Sequence, residues 1–102
     1  MIKEMNLLDE YFKAVKNRKE IVEVRLYDVK RKNLKVNDII RFNNRLTNEK
    51  IDCKVLKLIK YDNLEELLKN SDVSNSREEI LNIYSLDEIN KYGLLAIYIE
   101  VV

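Results

Sequence analysis

Glu23 and Arg25 combine chemistry and spacing in a way that suggests a site, because they lie two residues apart in the alternating run 20–27. Side chains two apart on a β-strand point to the same face. A carboxylate there accepts hydrogen bonds from an exocyclic amine, and a guanidinium donates to phosphate or carbonyl oxygens. The pair therefore predicts either a ligand site or a salt bridge on a solvated face.

A basic segment follows this strand and would suit a phosphate backbone, with Tyr27 as a platform for stacking a base. Its charged side chains are Lys30, Arg31, Lys32, Lys35 and Arg41. Residues 13–45 carry eleven basic and four acidic side chains, whereas the rest of the chain carries eight and fourteen. Charge segregated in this way attracts an anionic partner although the net charge is only +1. The alternatives are a solvated lysine-rich surface and a tyrosine covering the edge of the core.

The composition excludes several classes of site. The chain has no histidine and a single cysteine, Cys53. A Cys/His zinc site, a Ser-His or Cys-His nucleophile pair and an internal disulfide are therefore excluded. We expect Cys53 to be a small buried hydrophobic residue. We expect no metal, no cofactor and no membrane association, and a cytoplasmic location, because no apolar run is long enough to span a bilayer and the N-terminus lacks a secretory core.

The elements that would position these residues are one helix, three strands, three helices and a last strand, in the order α-β-β-β-α-α-α-β within a single domain, residues 1–102. Asn6 would cap the first helix, 7–16, and the strands would cover 20–27, 38–43, 50–61 and 94–102. Capping spacings predict helices after Asn63, Ser76 and Ser85. Gly93 would end the last helix with a positive φ.

The segment 15–42 resembles the N-terminal signature of the ASCH family, a Gly-x-Lys-x-x-Glu-x-Arg strand, a basic loop and a Val-Gly-Asp-x-Ile-x-Phe strand entry. Glu23 and Arg25 match the Glu-x-Arg half, and 36–42 matches the strand entry, with Asn37 in place of glycine. The segments 61–67 and 91–97 resemble later family motifs. The resemblance implies an α+β fold of the PUA-like (pseudouridine-synthase-and-transglycosylase-like) group, a small mixed β-barrel with flanking helices and a cleft beside the first strand.

Two functions follow from the resemblance. The first is a module that binds RNA or a nucleotide in the cleft, through Lys19, Glu23, Arg25, Tyr27, Lys30, Arg31, Lys32 and Arg41. The second is a small amidohydrolase acting on N4-acetylcytidine or a related modified nucleoside, with Lys19, Glu23 and Asp72 as the candidate catalytic residues.

The family motif is incomplete here, since Arg18 replaces its glycine and Glu20 replaces its lysine. The amidohydrolase branch also has threonine where this chain has Glu23. Lys19 is adjacent to the motif lysine, but a one-residue shift turns a strand side chain to the other face unless a bulge near Asn17 re-aims it. We therefore favour binding over catalysis. The sequence indicates neither a protein partner nor an oligomeric state.

Overall fold

The structure, a computed structural model, describes residues 2–18 and 22–102. Five strands and four helices are present in the described residues. The strands are β1 (Ile2–Leu7), β2 (Val22–Leu26), β3 (Ile39–Asn44), β4 (Lys50–Tyr61) and β5 (Leu94–Val101). The helices are α1 (Asp9–Lys16), α2 (Leu64–Leu68), α3 (Arg77–Ile83) and α4 (Leu86–Tyr92). The predicted α+β class is confirmed.

The strands form one curled half-barrel sheet in the order β1-β3-β4-β5-β2. β1 pairs with β3 in parallel, and all other neighbours are antiparallel. The sheet is therefore mixed, with β1 and β2 at its two edges. β5 lies inside the sheet, between β4 and β2, and both of its faces are buried. Leu95, Ile97 and Ile99 enter one core cluster, while Leu94 and Ala96 enter the other.

The predicted element order was wrong at its start, because it lacked β1. Asn6 lies within β1 and caps no helix; helix α1 begins at Asp9, and its N-cap Leu8 makes no side-chain capping bond. Met5 and Leu7 point into the core, which gives this strand its buried face. The strand is stabilised by pairing with β3, a contact that joins residues far apart in sequence.

Unlike the prediction at Asn6, the capping predictions at Asn63, Ser76 and Ser85 and the turn predicted at Gly93 are confirmed. Ser76 and Ser85 each form a complete capping box, and the Asn63 side chain accepts from the Glu66 backbone N–H. Gly93 has φ 81° after α4, and Asn37 has φ 77°, the left-handed conformation expected where the family has glycine. These capping residues set where the three short helices α2, α3 and α4 begin and where α4 ends. The apolar faces of these helices pack on the β2 side of the sheet.

Candidate functional site

A cavity of about 310 Å³ lies beside the two edge strands of the sheet, β1 and β2. Helix α1 and helix α3 supply further walls. Twelve residues line it: Asn6, Leu7, Leu8, Tyr11, Glu23, Val24, Arg25, Arg45, Asn75, Asn82, Ile83 and Tyr84. The site is thus assembled from five separate stretches of the chain.

The Glu23–Arg25 pair is the charged centre of this cavity. Arg25 Nε donates to Glu23 Oε2 at 3.0 Å, and Nη2 lies 2.9 Å from the same oxygen. Nη2 also donates to the Asn6 carbonyl of β1 at 2.8 Å, so the Arg25 side chain links the two edge strands. The side chains of Arg25 and Glu23 are 13% and 9% exposed, which makes this a largely buried ion pair. The predicted shared face of the two residues is therefore present, and it faces a cavity rather than open solvent.

The surroundings of Glu23 disfavour its charged form. Burial raises the pKa of the Glu23 carboxyl, and the charge and hydrogen bond of Arg25 partly oppose that rise. The positive charge of Arg31 also lowers the Glu23 pKa, which places the Arg31 guanidinium within electrostatic reach of the cavity. A carboxyl that is buried beside a cavity and paired with a single arginine is a common feature of binding and catalytic sites.

The walls contributed by the helical insert are also polar. Asn75 lines the cavity directly before the capping box of α3, and its buried Oδ1 has no hydrogen-bond partner. Burial raises the pKa of the Tyr84 hydroxyl, while the charges of Arg25 and Arg31 lower it. On the facing side, the Tyr11 hydroxyl donates to Glu79 at 3.2 Å and so joins α1 to α3.

The predicted basic segment is only partly free to bind an anion. Lys30 and Lys32 are exposed and form no ion pair among the described residues. Arg31 contacts both oxygens of Asp28, at 3.2 and 3.0 Å. Arg41 lies on β3, where it forms a two-bond pair with a carboxylate of β4, Asp52. Arg41 does not line the cavity.

Two other predicted residues lie away from the cavity lining. Tyr27 packs against the core, and the Lys60 ammonium lies 5.3 Å from its ring centre. Its backbone N–H donates to the carbonyl of Gly93 at 3.0 Å. Asp72 is exposed and accepts from the Tyr98 hydroxyl at 2.9 Å, so the structure does not bring it together with Glu23. Lys19 lies outside the described residues.

Sequence reasoning missed Arg45, Asn75, Asn82 and Tyr84. They come from a hairpin turn and from α3 and its flanks, and no local pattern marks them. What they share is the tertiary fold, because they come close to β2 only when the distant segments pack together. The capping spacing at Ser76 predicts where α3 begins, and it therefore places Asn75 directly before this helix.

None of the helices in the described residues is long and apolar enough to cross a membrane. In residues 2–18 and 22–102, acidic and cysteine side chains form no cluster of three or more that would hold a metal ion.

The mixed half-barrel with a helical insert defines the chain as a PUA-like module. Residues 5–102 match the ASCH domain family, and the chain therefore belongs to that family. The crystal structure of hypothetical protein PH0355 is similar, with 32% identity, a TM-score of 0.84 and 100% of both chains covered. The solution NMR structure of protein PF0455 from Pyrococcus furiosus has 32% identity and a TM-score of 0.75, covering 100% of this chain and 98% of that one. No curated protein matches the chain.

Proposed function

We propose that this ASCH domain binds single-stranded RNA or a nucleotide, with one base in the cavity and the phosphates on the basic side chains around it. The observation that carries the proposal is the buried Glu23–Arg25 pair beside a cavity of about 310 Å³. This volume is at the lower end of the range for small-ligand sites, roughly 300 to 1,000 Å³, and suits a base more than a whole nucleotide.

A buried ion pair contributes little net stability, so its presence beside a cavity supports a role in binding. Removing two charges from water costs several kcal/mol for each ion, and pairs of this kind are often replaceable by apolar residues without loss of stability. Both Arg25 contacts to Glu23 end on Oε2, so Oε1 accepts no bond from Arg25. Of the Arg25 nitrogens, Nη1 makes none of these bonds. The Glu23 carboxylate, which also accepts from the Val24 backbone N–H, and the Arg25 guanidinium would face a ligand side by side.

The charge around the cavity favours an anionic ligand. Arg45 belongs to the lining, and Arg31 influences the pKa values of both Glu23 and Tyr84. Exposed Lys30 and Lys32 neighbour Arg31 in the chain. Guanidinium and ammonium groups in this arrangement would hold phosphates on either side of an inserted base.

The test is a fluorescence-anisotropy titration of a labelled, mixed-sequence RNA octamer over a salt series. The double variant Glu23→Gln/Arg25→Gln removes both charges of the buried pair. We expect it to bind at least about tenfold more weakly, because hydrogen bonds to charged groups contribute roughly 1.5–3 kcal/mol. Affinity of the wild-type protein should fall steeply with salt because phosphate contacts release counterions.

The matched control is Glu65→Gln/Arg77→Gln, which neutralises an exposed ion pair outside the cavity. We expect it to bind RNA as the wild type does. Equal losses in the two double variants would show that RNA contacts the surface generally and would contradict a cavity site.

A second function is supported by the raised pKa of Glu23, which is a property of general acid–base residues. This is hydrolysis of an N-acylated nucleoside such as N4-acetylcytidine. The assay is chromatographic detection of cytidine after incubation of the purified protein with N4-acetylcytidine. Turnover that is lost in Lys19→Ala and in Glu23→Gln would establish the amidohydrolase reaction, whereas absence of turnover would contradict this second function.

A further inference from the structure

The charges that line the cavity do not cancel. Among the described residues, the charged members of the lining are Glu23, Arg25 and Arg45. Glu23 and Arg25 form an ion pair with each other, and Arg25 also donates to the Asn6 carbonyl. The guanidinium of Arg45, by contrast, makes no hydrogen bond or ion pair within residues 2–18 and 22–102. The lining therefore contains a positive charge that has no counter-charge.

Resting on the proposed function, we infer that Arg45 binds a phosphate of the ligand, so that the cavity takes phosphorylated nucleosides in preference to free nucleosides. A guanidinium presents its N–H donors in a fixed fork, which fits two oxygens of one phosphate. Arg45 is exposed, so a phosphate bound to it would keep much of its own hydration. The cost of removing an anion from water is lower in that position than in the buried part of the cavity.

The other basic side chains near this end of the sheet are less suited to the role. Arg31 and Arg41 each form two hydrogen bonds to a single carboxylate, so a phosphate would have to compete with that partner. Lys30 and Lys32 are exposed, but they do not belong to the cavity lining. Of these cations, Arg45 alone both lines the cavity and has a guanidinium without a partner in the described residues.

The turn that carries Arg45 is held in place before a ligand binds. Asn44 is only 2% exposed, and its side-chain oxygen accepts from the Leu46 backbone N–H at 2.8 Å. Its amide donates to Asp9 of α1 at 2.9 Å. The backbone N–H of Arg45 donates to the Leu7 carbonyl of β1 at 3.0 Å. The turn is thus bonded to two walls of the cavity, which reduces the entropy lost when the guanidinium is ordered by a ligand.

The preference for an anion does not depend on the protonation state of Glu23. When the Glu23 carboxyl is ionised, its charge is balanced by Arg25 and the charge of Arg45 remains. Burial raises the pKa of the Glu23 carboxyl, and when it is protonated Arg25 loses its counter-charge as well. The lining is positive in both states and attracts a phosphate in both.

The experiment compares adenosine with AMP, and uridine with UMP, by isothermal titration calorimetry. Two bases are used because the inference concerns the phosphate and not the base. We expect each monophosphate to bind about 10- to 100-fold more tightly than its nucleoside, because hydrogen bonds to charged groups are among the strongest. Arg45→Gln should lower the affinity for the monophosphate to that for the nucleoside. Its affinity for the nucleoside should not change, which shows that the variant is folded.

The matched control is Arg77→Gln, which removes an arginine charge outside the lining and should keep the wild-type ratio of the two affinities. Arg45→Lys keeps the charge without the planar fork, so it should keep only part of the preference. Equal binding of nucleoside and monophosphate by the wild type would overturn the inference. So would a ratio that Arg45→Gln leaves unchanged, or that falls equally in Arg77→Gln.

The dinucleotide ApA distinguishes the two sources of a phosphate, because it has a phosphodiester and no terminal phosphate. If Arg45→Gln weakens both ApA and AMP, the group that Arg45 binds is a phosphodiester of RNA as well as a free nucleotide's phosphate. If it weakens AMP alone, the ligand is a free nucleotide. Both results support Arg45 as the phosphate-binding residue.

The same data separate this inference from the proposed function. If nucleosides and monophosphates bind alike and Glu23→Gln/Arg25→Gln weakens them all, the cavity binds nucleosides in RNA or nucleotides but Arg45 does not bind the phosphate. If neither RNA nor any of these ligands binds, both conclusions fail.

Discussion

The burial of the Glu23–Arg25 ion pair predicts a large effect on stability when the pair is broken. The side chains of Glu23 and Arg25 are only 9% and 13% exposed. Replacing one partner by glutamine leaves the other charge without its counterion. Breaking a buried pair in this way costs roughly 3–5 kcal/mol, which is a large part of the 5–15 kcal/mol that stabilises a typical domain. Arg25→Gln should lose about this amount, whereas Glu23→Gln should lose less, because burial already favours the uncharged form of the Glu23 side chain.

The double variant should be much closer to the wild type, because the desolvation cost disappears together with the attraction. One contact is not recovered. Arg25 Nη2 donates to the Asn6 carbonyl, and the shorter glutamine at position 25 would not reach it. The net value of such a hydrogen bond is about 1 kcal/mol, so the double variant should be about 1 kcal/mol less stable than the wild type. The two single effects would then overestimate the double effect by several kcal/mol.

The assay is urea unfolding followed by circular dichroism for the wild type, both single variants and the double variant. Arg77→Gln is the control, because its ion pair with Glu65 is about half exposed and should contribute less than about 1 kcal/mol. A loss below about 1 kcal/mol in Arg25→Gln, or strictly additive effects, would refute the description of a buried and coupled pair.

Three further predictions concern pH, the last helix and the thiol. Because burial raises the Glu23 pKa, the folded state binds this proton more tightly than the unfolded state. The wild type should therefore lose stability relative to Glu23→Gln/Arg25→Gln as the pH rises from about 4.3 through the raised pKa of the folded state. A difference in urea midpoints that stays constant with pH would contradict this. Gly93→Ala should cost roughly 2–4 kcal/mol, measured by thermal unfolding, because φ is 81° and the added Cβ would lie 2.7 Å from the Tyr61 carbonyl oxygen; a smaller loss would mean that the turn relaxes. Burial raises the pKa of the Cys53 thiol to about 11, so Ellman's reagent at pH 8 should react only after unfolding, and fast reaction of the folded protein would disprove that burial.

The sequence was sufficient for features that depend on neighbouring residues. Strand β4 has the predicted bounds, and the capping residues Ser76 and Ser85 act as their spacing indicated. The missed strand β1 shows the limit of such reasoning. Its polar Asn6 resembles a helix cap, and only the pairing with β3, more than thirty residues away, makes an extended conformation favourable.

The site was predictable to a similar extent. Glu23 and Arg25 share a face because period-two geometry requires it. Asn75 and Tyr84 reach the same cavity only through tertiary packing of the insert, and Asp72 is held elsewhere by its bond to Tyr98. Local patterns therefore identify the charged centre of the cavity, while its walls are set by contacts between distant segments.

The central position of β5 has a consequence for synthesis of the chain on the ribosome. β5 lies between β4 and β2, and its partners in β2 precede it by about 70 residues. While translation is still short of residue 94, β2 has no strand to pair with, and the apolar faces of the insert helices lack the β5 residues of their cluster, Leu94 and Ala96. Nascent chains should therefore stay sensitive to protease until 94–101 have left the exit tunnel, and then become resistant in one late step.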